Sequence, residues 1–259
     1  MSHSASCCYG KIPTLGDFIH RGLSQRQIDV WDEWLQDCMV QSRHRLGEGW
    51  LDYYLEAPVW YFALGSGNLD QQSWIGVMIP SVDRVGRYFP FAVMRPFTGG
   101  TPLDAMRRAR DWFSEAEALA LDCLEEGFDA GDLESRLGAL PVEHSGAAPP
   151  CPAAAASEPD GAGRLYLLGQ APSTNNVLST IADDCLLQLH PTYSVWWTAG
   201  SSVVEAALLI TSGLPESAAF SSMLDGQFGD GGWSGFRQIS SGAGAESGRF
   251  DAERGAAGV

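Results

Sequence analysis

The chain has 259 residues, with 32 acidic against 16 basic ones and a formal net charge of −16. That length can bury one sizeable core or two small ones, and an apolar fraction of 45% is ordinary for a globular chain. The charge argues against binding a nucleic-acid phosphate backbone or an anionic membrane surface, and favours a protein partner with a basic face, or simply solubility.

No apolar run is long enough to span a bilayer, and the opening Met1-Ser2-His3-Ser4-Ala5-Ser6 lacks a charged region followed by an apolar one. The chain is therefore expected in the cytosol, without membrane insertion. Six cysteines (Cys7, Cys8, Cys38, Cys123, Cys151 and Cys185) form no C-x-x-C pair, so reduced thiols, mostly buried as small apolar residues, are the expectation.

In chain order, Cys7–Pro13 reads as a short strand leading into a turn over Thr14–Arg21, where Gly16, Asp17, His20 and Arg21 lie close together. Ser24 with Gln27 three residues on has capping-box spacing. Ile28, Trp31, Leu35, Cys38 and Met39 follow at helical period, which predicts an amphipathic helix over 24–46. Three apolar runs come next, Pro58–Leu64, Trp74–Pro80 and Tyr88–Arg95, joined by short links. They predict an antiparallel meander, and their lack of alternation implies a sheet covered on both faces by helices.

Thr101 and Pro102 open a helical region that keeps its period to Leu124 and ends at Gly127, with a shorter helix over Asp132–Leu137. Residues 141–163, rich in Pro, Ala and Gly, read as a surface insertion. Beyond it the sequence predicts a strand at Arg164–Leu168, a helix at Asn175–Leu189, strands at Tyr193–Thr198 and Ala206–Ile210, and a terminal helix at Leu214–Leu224. From Asp225 a disordered tail is expected. The order gives one α/β domain over 1–224: a three-layer α/β/α sandwich around a mixed, largely antiparallel sheet.

Polar chemistry concentrates in two turns. Between the second and third meander strands lie Ser81, Asp83, Arg84 and Arg87, closed by Gly86. The first turn carries Asp17, His20 and Arg21. Turn residues of this kind commonly hold their own backbone, and an Arg fork beside an Asp equally suits a partner's carboxylate. Tyr53 and Tyr54, just ahead of a strand, are further interface candidates. The candidate interaction surface is thus Asp17, Arg21, Tyr53, Tyr54, Ser81, Asp83, Arg84 and Arg87. A catalytic alternative, a hydrolase or phospho-group-handling enzyme, requires Ser81, His20 and Arg87 to share one pocket. There is no P-loop, dinucleotide fingerprint, serine-hydrolase elbow or zinc motif, so no cofactor or metal is expected.

Three segments taken together, Gly10–Arg21, Ala57–Phe62 and Gly76–Phe91, resemble in order and spacing the TagF family of type VI secretion system-associated proteins. The resemblance covers about residues 7–125. Ser194-Val195-Trp196-Trp197 and Leu214-Pro215 follow more loosely, and 141–163 and the tail lie outside it. It implies a cytoplasmic α/β protein that is not an enzyme and that acts after translation to restrain assembly or firing of the secretion apparatus. The implied partners are type VI secretion components, foremost the forkhead-associated scaffold protein. The family is linked to a regulatory kinase and phosphatase branch. A phosphatase domain is fused to some relatives and has no counterpart here, so such a partner is expected to be separate. No catalytic residues are implied.

Overall fold

The computed structural model describes residues 6–98, 100–141 and 174–230, with 233, 235–237, 239 and 247–248 beyond them. Chain order is β1 (Cys7–Gly10), β2 (Ile19–Arg21), α1 (Gln25–Leu46), α2 (Trp50–Glu56), β3 (Trp60–Leu64), β4 (Ser73–Ile79) and β5 (Phe91–Phe97). It continues with α3 (Pro102–Arg108), α4 (Arg110–Asp122), α5 (Leu133–Ala139), α6 (Thr174–Leu189), β6 (Tyr193–Thr198), β7 (Ala207–Ser212) and α7 (Phe220–Asp225). The seven strands form one sheet in the order β2-β1-β5-β4-β3-β6-β7, and every pairing is antiparallel.

The unbroken apolar runs of the meander divide between two cores. Along β4, Trp74 and Met78 point to one face, and Ile75, Val77 and Ile79 to the other. On the first face α1, α2 and α7 cover the sheet, with Trp31 and Leu35 of α1 fully buried near Phe62, Trp196 and Phe220. On the second, Trp112, Phe113, Ala116 and Leu119 of α4, joined by α3 and α5, pack on Val77 and Val93. This is the three-layer α/β/α arrangement, built because each strand has an apolar surface on both sides that must leave water.

Most predicted elements appear where expected. The α1 stripe Ile28, Trp31, Leu35, Cys38 and Met39 is buried, and Gln27 Oε1 accepts from the Ser24 backbone N–H at 2.8 Å, as the capping box requires. Cys7, Cys8, Cys38 and Cys123 are buried and in no disulfide, whereas Cys185 is exposed.

Several elements differ. The stretch expected as a turn to Arg21 ends instead in edge strand β2, whose three residues give little periodicity to read. Tyr53 and Tyr54 sit on α2, not in a connector. The helical region from Thr101 divides at Ala109, where φ −93° and ψ 23° separate α3 from α4. The expected tail packs at its start: Gly226 ends α7 in the left-handed conformation at φ +72°, and Phe228 and Trp233 lie against the first core. Most of the insertion over 141–163, and all of the strand over 164–168, lie outside the described residues.

Candidate docking corner

The register brings the two polar turns together. Tyr9 pairs with Ala92, and Ile79 pairs with Phe91, so the β1–β2 and β4–β5 connections leave the same end of the sheet on adjacent strands. At Gly10, φ is +139°, and a Cβ there would stand 2.1 Å from the Pro90 carbonyl oxygen. Only glycine permits both that conformation and the close approach to Pro90.

The two loops are stitched by main chain and side chain. The Arg84 N–H donates to the Leu15 carbonyl at 2.9 Å, the Ser81 hydroxyl to the Lys11 carbonyl at 2.6 Å, and Arg87 Nη2 to the Gly16 carbonyl. At the centre is Asp83, 3% exposed. Its Oδ2 accepts from Lys11 Nζ at 2.8 Å and Arg87 Nε at 2.6 Å, and its Oδ1 from the backbone N–H groups of Val85 at 3.0 Å and Arg87 at 2.9 Å. Burial alone would raise its pKa. The Lys11 ammonium, the Arg87 main-chain and side-chain donors and the Val85 N–H more than offset this, holding the carboxyl well below the usual carboxylate range.

Tyr54 closes the inner side. Its hydroxyl donates to the Ser81 carbonyl at 2.9 Å and accepts from the Ser81 N–H at 3.0 Å. Above Asp83, the rings of Tyr9 and Phe18 stack at 5.6 Å, Phe89 meets Phe18 edge-on, and Lys11 Nζ lies 4.8 Å from the Phe18 centroid.

The eight sequence candidates divide sharply. Tyr54, Ser81 and Asp83 are corrected from surface to interior. They are 1%, 5% and 3% exposed, and their polar atoms serve the corner's own backbone and ion pairs, so no partner can reach them. Asp17, Arg84 and Arg87 are exposed on the rim, and Arg21 is exposed farther along edge strand β2, opposite Cys8. Tyr53, also exposed, faces outward from α2.

The Ser81 hydroxyl, which the catalytic alternative needs as its nucleophile, is buried and donates to the Lys11 carbonyl. Among the described residues, no group of three or more His, Cys, Asp or Glu could hold a metal, and no helix is long and apolar enough to cross a membrane.

Lys11 and Gly16 were absent from the sequence candidates. Lys11, the sole lysine, lies between residues that become buried on both sides, Tyr9 and Ile12. A cation inside an apolar run needs a buried partner, and that signal points to Asp83.

The family model described as the TagF N-terminal domain, type VI secretion system-associated, matches residues 7–140, which include the whole corner. Among solved structures, the crystal structure of PA0076 from Pseudomonas aeruginosa PAO1 aligns with a TM-score of 0.68 at 33% identity. The alignment covers 86% of this chain and 94% of that one. No curated protein sequence matches.

Proposed function

The chain belongs to the TagF family of type VI secretion system-associated proteins, and from that premise we propose that it restrains type VI secretion after translation, by docking rather than by catalysis. The acting surface is the rim of the corner, Arg84 and Arg87 with Asp17, extended along edge strand β2 by Arg21. It works in the cytoplasm, and the partner is a component of the secretion apparatus, foremost its forkhead-associated scaffold protein.

The observation that carries this reading is the division within the corner. Inside the corner Lys11, Ser81 and Asp83 are spent on one another, on Arg87 and on backbone, while the Arg84 and Arg87 guanidinium groups stand at its surface. A repressor of this kind needs a pre-organised surface that occupies a partner, because rigidity reduces the ordering cost of binding. A catalytic role finds no support in a buried serine hydroxyl already hydrogen-bonded to backbone.

The test is charge reversal on the rim. Arg21→Glu combined with Arg84→Glu, expressed in place of the native chain, is expected to raise secreted substrate in the culture supernatant to the level of a deletion strain. It should also lose co-purification with the scaffold protein, while melting at the wild-type temperature. Full repression by the folded double variant would move the docking site away from this corner.

A further inference from the structure

We propose that the Arg84–Arg87 rim receives a carboxylate-rich segment of a partner protein, an inference that rests on the corner being a docking surface. Both guanidinium groups converge on Gly16. Arg87 Nη2 donates to the Gly16 carbonyl, and a Cβ built on Gly16 would stand 3.4 Å from Arg84 Nη2. Arg87 is already paired with Asp83, whereas the Arg84 guanidinium beside it has no ion-pair partner among the described residues.

The corner's carboxylate, Asp83, is buried, and both its oxygens are occupied by Lys11, Arg87 and two backbone N–H groups. Asp17 forms no ion pair with either arginine, and its Oδ1 accepts from the Phe18 N–H at 2.8 Å. Arg84 has neither a hydrogen bond nor an ion pair from its side chain to any described residue, so its donor fork is unspent. The corner therefore holds Lys11, Arg84 and Arg87 against Asp83 and Asp17, a local excess of one positive charge in a chain of net charge −16.

The chemistry of the ligand follows from which donors remain. The backbone N–H groups of Asp83, Arg84, Val85, Gly86 and Arg87 all have acceptors within the corner. The β4–β5 turn therefore offers no nest of free amides for the three oxygens of a phosphate. What remains on this turn is the planar Arg84 fork, which matches a carboxylate, with the charge of Arg87 beside it. The turn is also convex: Val85 at its tip is 65% exposed. Small molecules bind in concavities, so the carboxylates must come on a chain that can lie across the tip. The exposed Phe18 and Val85 flank the charges and give such a chain apolar contacts.

The measurement is fluorescence anisotropy of the purified full chain with fluorescein-labelled hexaglutamate, hexaglutamine and a phosphothreonine peptide, at low and at 0.3 M salt on the order of the Debye-screened range. Hexaglutamate is expected to bind and hexaglutamine not to, although the chain's overall charge repels the acidic peptide. Arg84→Gln is expected to weaken binding about tenfold, and Arg84→Lys to restore only part of it, because an ammonium lacks the fork. Both variants should melt like the wild type. Arg107→Gln on α3, away from the corner, should bind like the wild type.

Equal affinity for both peptides, indifference to Arg84→Gln, or binding of the phosphothreonine peptide alone would overturn the inference. The two readings separate cleanly. A folded Arg84→Gln chain that loses hexaglutamate yet still restrains secretion upholds the anion site and removes it from repression. Released secretion in a chain that never bound hexaglutamate does the reverse.

Discussion

Asp83 and Asp183 are both buried aspartates, 3% and 5% exposed, at distant points of the same fold, and their ionisation is pushed in opposite directions. Asp83 sits in the two-loop corner with two cations and two backbone donors on its oxygens. Asp183, on α6, accepts from the Tyr193 hydroxyl and interacts with the Thr101 side chain, and the charges that act on it are Asp104 and Asp184. Burial penalises both anions. Only the first has enough positive charge and enough donors to reverse the penalty. A buried carboxylate is thus a stabilising keystone in one place and a destabilising anion in the other, and the difference lies in its neighbours.

The largest effect that tests this contrast is loss of the keystone. Asp83→Ala strands the Lys11 ammonium in a site where its side chain is 6% exposed, and removes the acceptor from the N–H groups of Val85 and Arg87. Removing one partner of a buried ion pair costs about 3–5 kcal/mol, so equilibrium unfolding in urea should show a loss of that size. A loss of less than about 1 kcal/mol, the value of a surface pair, would mean that the corner is held by its backbone bonds alone. The same result governs the choice of docking variants: a change at Asp83 alters the fold, whereas one at Arg84 does not touch it.

A smaller effect is expected one layer in. Tyr54→Phe keeps the ring stack with Trp50 at 4.8 Å but removes the hydroxyl that both donates to and accepts from Ser81. The Ser81 carbonyl retains the Phe89 N–H at 3.1 Å, so the main loss is an acceptor for the buried Ser81 N–H. That leaves one unsatisfied buried donor, costing about 1–3 kcal/mol by urea unfolding. No change in stability would show that water or a backbone shift supplies the acceptor.

How far these two sites were legible in the sequence differs for physical reasons. The meander and α1 could be read because strand and helix periods are local properties of the chain. The corner was found as a concentration of Asp, Ser, Arg and Gly. Its inside and outside were not separable, since burial of Asp83 depends on Lys11, 72 residues away in sequence. Tyr53 and Tyr54 read alike in the sequence, as a pair of tyrosines just ahead of a strand. Only the helical turn of α2, which points one ring at Ser81 and the other at solvent, distinguishes them. Asp183 gave no sign at all: in sequence it is one of two adjacent aspartates on an amphipathic helix, the usual pattern of a solvated face.

The smallest effect has the most informative sign. Burial, with Asp104 and Asp184 adding to it, raises the Asp183 pKa above its ordinary value, and the hydrogen bonds from Thr101 and Tyr193 only partly oppose this. The folded chain therefore binds the Asp183 proton more tightly than the unfolded chain does. Its contribution is fully present below the unfolded carboxylate pKa and is lost as pH rises through the folded one. Asp183→Asn removes the anion and leaves an amide oxygen that can still accept from Tyr193. The variant should accordingly melt above the wild type at pH 7, with the gap closing as pH falls below the ordinary aspartate range. The Asp83 contribution has the opposite sign: its pKa is lowered on folding, so that stability is present above the unfolded pKa and disappears on acidification. Thermal melts across acid pH thus read the two aspartates against each other. A variant at Asp183 that melts below the wild type at pH 7 would mean that the charged acceptor of the Tyr193 hydroxyl is worth more than its burial costs, and the contrast between the two sites would fail.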